Sequence, residues 1–166
     1  VTPQAGQQLT LFDGLETITE DPYYPSSSAI SVKMAGQNFV TLSNGFQTWT
    51  SLQDFEFVGS NSITNATSMF NTCLNLRKVY QFDTSTIQTM SSLFSGCRNL
   101  LEVPQLNLDS CTTFNSGFYN CTNLTYIPTI DLSNSPLTDL NQLFRFCIKL
   151  RVIPLKNTER VTGFLY

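Results

Sequence analysis

The chain has 166 residues, of which 41% are hydrophobic and 13% charged, so a core can form while Ser, Thr and Asn supply much of the polar surface. A net charge of −3 and a pI near 4.7 argue against general nucleic-acid binding, which needs a basic stripe to displace counterions from phosphates. No apolar run approaches the roughly 18 residues of a membrane span, and the absence of histidine removes the commonest general acid or base.

Residues 1–38 carry Pro3, Pro22, Pro25, the Ser26-Ser27-Ser28 run and four acids, and read as an extended acidic arm or linker. A possible strand follows through Ile30-Ser31-Val32-Lys33-Met34. Charge is unevenly spread, at −5 over residues 1–60 and +2 over the remainder. The first residue is Val1, which fits a processed form or a piece of something longer.

From residue 39 onward the chain repeats. Phe70, Phe94, Phe118 and Phe144 are each followed three residues later by Cys73, Cys97, Cys121 or Cys147, and six residues later by Leu76, Leu100, Leu124 or Leu150. The Phe spacings are 24, 24 and 26 residues, in the range that marks a solenoid. Residues 39–62 form a degenerate first copy, with Phe46 and Trp49 in the Phe and Cys columns. Residues 63–160 hold four clear copies, and 161–166 begin a further turn. Within a copy, apolar columns headed by Ile63, Ala66, Met69, Phe70 and Cys73 follow one helical stripe, which predicts a short helix. Val79, Val103, Ile127 and Ile153, then Phe82, Leu106 and Ile130, predict an extended segment. Pro104, Pro128 and Pro154 prevent the helix from continuing. Two extra residues near Asn134-Ser135-Pro136 are expected to bulge a loop.

The consensus, carried best by Ile87 through Pro104, resembles the BspA-like class of leucine-rich repeats of bacterial surface proteins, which also occur in phages and large viruses. The resemblance implies an α/β repeat: a right-handed leucine-rich-repeat solenoid of about five turns, with short parallel strands on one side and short helices on the other. It also implies surface adhesion and recognition.

The cysteine column invites disulfide or metal chemistry, but both readings are weak. Helices stacked about 8–10 Å apart would hold neighbouring cysteines beyond disulfide reach. Zinc sites use closely spaced ligand pairs, and this chain has none. A buried, reduced ladder is expected, with Cys111 buried in a different column. Asn75, Asn99 and Asn123 predict a second ladder that satisfies backbone groups, with Lys149 breaking it.

No catalytic, cofactor or metal-binding residues are assigned, because the acids of the array sit singly and the glycines are isolated. The expected function is non-enzymatic recognition or adhesion. The partner would be a protein or glycan on a cell surface, and the setting extracellular or cell-surface. Gln81, Thr129 and Leu155 are expected to point outward by strand alternation. Tyr80, which replaces the Pro, and Arg77 and Tyr126 are expected on the same edge. The alternative is a structural component of a phage or viral particle, docked on neighbouring subunits through the arm and an open solenoid edge.

Overall fold

A computed structural model describes residues 8–12 (backbone only), 29–36, 39–153 and 155–163. Pro3, Pro22, Pro25, the Ser26–Ser28 run, Pro154 and the 164–166 segment lie outside the described residues. Strands β1 (Gln8–Phe12), β2 (Ser31–Ala35), β3 (Asp54–Val58) and β4 (Lys78–Val79) form a parallel sheet in that order, and β5 (Ile130–Asp131) pairs in parallel with β6 (Leu155–Lys156). In β2 and β3 the side chains alternate as one buried face requires: Val32, Met34, Phe55 and Phe57 point into the core, while Lys33 and Glu56 face outward and pair at 3.2 Å. Gln8 lies opposite Ser31 and Ser31 opposite Asp54, so two rungs of the stack fall within residues 1–38. The arm expected outside the period therefore gives way, at β1 and β2, to strands that join it. Their spacing is one residue shorter than that of the Phe column, which is why alignment on Phe did not find them.

The expected α/β leucine-rich-repeat solenoid is contradicted, because among the described residues there is no helix. The predicted helices are chains of β-turns over 43–48, 67–72, 91–96, 115–120 and 141–146. In repeat 1, the N–H groups of Gly45, Gln47 and Trp49 close i to i−3 turns on Leu42, Asn44 and Phe46. The alternate N–H groups of Leu42, Asn44, Phe46 and Thr48 instead donate to Asn65, Thr67, Met69 and Asn71 of the next repeat, at 2.8–2.9 Å. A helix would retain all of these donors within itself. Each coil also places two residues in the left-handed region, such as Ser68 (φ 54) and Thr72 (φ 61) in repeat 2, at the third position of a turn. The physical reason for the failed prediction is spacing. Repeats joined by direct backbone bonds on both sides stand about 5 Å apart, whereas a helix with its side chains is about 10 Å wide. Buried positions at offsets 0, 3, 6, 7 and 10 serve a succession of turns as well as a helical stripe.

Close stacking aligns like residues into ladders. Phe46, Phe70, Phe94, Phe118 and Phe144 form a continuous ring stack, with centroids 5.3–5.7 Å apart and interplanar angles of 1–17°. Beside it, the Cys73, Cys97, Cys121 and Cys147 thiols donate to the carbonyls of Phe46, Phe70, Phe94 and Phe118 at 2.9–3.1 Å. Each of those carbonyls also accepts the N–H three residues on in its own repeat, so both of its lone pairs are used. All five cysteines are buried and unbridged. The helix-spacing argument against disulfides does not apply here. Direct stacking places Cβ atoms about 5 Å apart, still wider than the 3.5–4.5 Å a disulfide prefers. Burial pushes Cys73 and Cys111 up to about 12 and raises Cys97 and Cys121 well above the ordinary thiol value. At the last rung, the neighbouring Cys121 side chain lowers Cys147.

The core also trades volume between columns. Gly117 occurs where other repeats have Met69, Leu93 or Leu143, because the Phe114 ring fills its space: a Cβ on Gly117 would lie 2.3 Å from that ring. The extra residues of repeat 4 form a turn in which Ser135 N–H donates to Leu132 O at 3.2 Å, and the Ser135 side chain is buried.

Candidate functional site

The outward side of the strands is built from residues between the core columns. Asp54, Lys78 and Glu102 line up on successive rungs, and Lys78 forms an ion pair with Glu102. The Glu102 hydrogen bond raises Lys78 above its usual range. The Lys78 ammonium also lies 4.9 Å from the Tyr80 ring centre, so Tyr80 joins a charged cluster rather than standing alone. Tyr80 is half-exposed, and its N–H donates to Phe55 O at 2.9 Å. That bond explains the departure from Pro: a proline here would leave the Phe55 carbonyl without this donor. At the equivalent position of the next two repeats, Pro104 and Pro128 have no N–H to give. The ladder there shrinks to the single Lys78–Glu102 bridge.

Arg77 is exposed, its N–H held by Gln53 O at 2.7 Å. Gln81 and Thr129 are exposed as expected from alternation, with their carbonyls taken by Phe57 N–H at 2.8 Å and Gln105 Nε2 at 2.9 Å. Leu155 is a correction. It pairs with Ile130, not Thr129, and packs half-buried against the core. The 26-residue repeat is matched by a 25-residue pairing at this point, and that one-residue slip turns Leu155 to the other face. Val58, which aligns with buried Phe82, is exposed for a different reason: alternation within β3 buries Phe55 and Phe57, whereas Phe82 follows buried Val79 by three residues.

Tyr126 is exposed, at 62% against 51% for Tyr80. With Thr125, Ile127, Arg151 and Val152 it lines a cleft of about 190 Å³ between the last two repeats. Sequence reasoning missed Arg151 and Val152. The signal was present, because they fall in the outward columns of Arg77 and Lys78. Tyr80 and Tyr126 lie two rungs apart, so the candidates form two patches on one face: Arg77, Tyr80 and Gln81 at one, Tyr126 and Thr129 at the other.

The asparagine column is a continuous amide ladder. Asn75 Nδ2 donates to Thr50 O at 2.8 Å, Asn99 to Asn75 and Asn123 to Asn99, both at 3.1 Å. Lys149 does not break it but ends it, its ammonium donating to Asn123 Oδ1 at 2.7 Å. Among the described residues, no group of three His, Cys, Asp or Glu side chains is placed to hold a metal ion. No helix among them is long and apolar enough to cross a membrane.

These features define a stacked-repeat protein whose variable face is carried by a fixed apolar and amide framework. Residues 40–158 match the family described as Mycoplasma protein of unknown function, DUF285, and the chain belongs to that family. No curated protein and no solved structure matches it.

Proposed function

We propose that this chain is a non-enzymatic recognition module that binds a protein or glycan on a cell surface through the outward face of its strands. The observation carrying this reading is the cleft where exposed Tyr126 and Val152 meet Arg151, an apolar and cationic site that serves no visible need of the core. An exposed tyrosine offers a large, rigid contact surface at low entropic cost, and an arginine beside it selects for acidic or hydrogen-bonding groups. The likeness of the repeat consensus to the BspA-like class of bacterial surface proteins supports the same reading and an extracellular or cell-surface setting. A glycan array and a pull-down from surface extracts test it. Retention by the wild-type chain, reduced at least about tenfold by Tyr126→Ala with Arg151→Ala, is expected for truncating an aromatic and arginine pair at a binding centre. Equal retention by both chains would assign binding elsewhere.

A further inference from the structure

Charge in the four clear repeats is sorted by position along the coil. From the Cys column to the Pro column, residues 73–80, 97–104, 121–128 and 147–153 hold Arg77, Lys78, Arg98, Lys149 and Arg151 against one acid, Glu102. The acids Asp83, Asp109 and Asp131 instead follow the second apolar strand column of Phe82, Leu106 and Ile130. Two of the five cations are committed, since Lys78 pairs with Glu102 and Lys149 donates to Asn123 Oδ1. Arg77, Arg98 and Arg151 are exposed, and their guanidinium groups donate to no acceptor among the described residues. Arg77, Leu101, Thr125 and Arg151 occupy one exposed column on four successive rungs, about 15 Å along the stack, with Tyr126 beside it. The backbone at this corner is already used: Arg77 N–H donates to Gln53 O, Leu101 N–H to Arg77 O and Asn123 N–H to Arg98 O, at 2.7–3.2 Å. A ligand here is held by side chains alone, which excludes a peptide added as a strand.

We infer that this corner binds an acidic polysaccharide, a linear chain of sugar rings carrying uronate carboxylates. The inference rests on the recognition reading and names its ligand. Charge complementarity selects the occupant, because three unengaged guanidinium forks match planar carboxylates in a way that lysines would not. A sugar ring also has an apolar face, and the exposed Leu101 and Tyr126 between the arginines offer the apolar and aromatic surface to cover it. The span asks for a polymer, since a single sugar cannot reach across four rungs.

Calorimetric titration of the full chain with a hyaluronan decasaccharide tests it. Saturable binding is expected, weakened at least about tenfold between about 0.02 M and about 0.5 M salt, where charges are screened beyond a few ångströms. Arg77→Gln with Arg98→Gln changes exposed side chains outside the Tyr126 cleft, and is expected to lower the affinity at least about tenfold through two lost charge-assisted contacts. Lys156→Gln, a cation beyond the second strand column, is expected to leave it unchanged, and both variants to unfold in urea as the wild type does. No binding, an unaffected double variant, or an equal loss in Lys156→Gln would overturn the inference. So would equal affinity for a neutral oligosaccharide of the same length, a poly-glutamate peptide or a single-stranded oligonucleotide. Retention of a surface protein through Tyr126 and Arg151, without affinity for the decasaccharide, would also overturn it while leaving the recognition reading in place.

Discussion

The early rungs and the later repeats stack by different means. In β1 to β3 the coils are joined by five-residue strands in unbroken parallel register, and in β2 and β3 inward and outward side chains strictly alternate. From repeat 3 onward Pro104 and Pro128 remove a donor per coil, and the strand side falls back to isolated bridges and two-residue strands. Cohesion there passes to the turn side, where backbone bonds, the ring stack, the thiol ladder and the amide ladder run in parallel. The lesson is that proline decides how much of the stacking the strand side carries, while turn-side backbone bonds join the repeats with and without it.

Alkali separates the two regions most strongly. Cys73, Cys97, Cys111 and Cys121 have raised values in the folded chain, and all lie in the repeats. Below pH 9 both folded and unfolded chains hold these protons, so the full stability is present. Above it the unfolded chain releases them first, and stability falls by about 1.4 kcal/mol per pH unit per thiol. For Cys73 and Cys111 the loss continues until pH reaches about 12. Denaturation from pH 8 to 11 is expected to show this decline, and Cys97→Ala to make it shallower. A flat profile would remove the thiol ladder from the account.

Phe94 is stacked on both faces, so Phe94→Ala is expected to cost about 3–5 kcal/mol in urea unfolding, a value typical of a buried ring. Gly117→Ala drives a methyl into the Phe114 ring and is expected to cost about 1–3 kcal/mol, with Phe114→Leu in the same chain recovering part of it. Tyr80→Pro carries the later device into the earlier region. It removes the donor to Phe55 O and is expected to cost about 1–3 kcal/mol, with faster exchange confined to β3 and β4. Smallest is Asn99→Ala, which cuts the amide ladder at its centre for about 1 kcal/mol by the same measurement. If Tyr80→Pro were neutral, the contrast between the two regions would not rest on backbone donors.

Much of this was legible in the columns. Ile63, Met90, Phe118 and Cys121 are buried where the alignment put them, because identical positions in stacked coils meet identical surroundings. Gln81, Thr129, Tyr80, Tyr126 and Arg77 are exposed for the same reason. Leu155 departs from its column because a loop insertion and a strand register shift do not cancel, and Ile153 is exposed although Val79, Val103 and Ile127 of its column are buried.

By itself the sequence determined the period, the core columns and the burial of the cysteines, since these follow from which residue types recur and at what interval. Only the tertiary structure decided that the intervening segments are turns rather than helices, that β1 and β2 belong to the stack, and that Lys149 ends a ladder. The physical reason is common to all three. Each depends on where a backbone or side-chain donor finds its acceptor, and in this fold that acceptor lies about one repeat away along the chain.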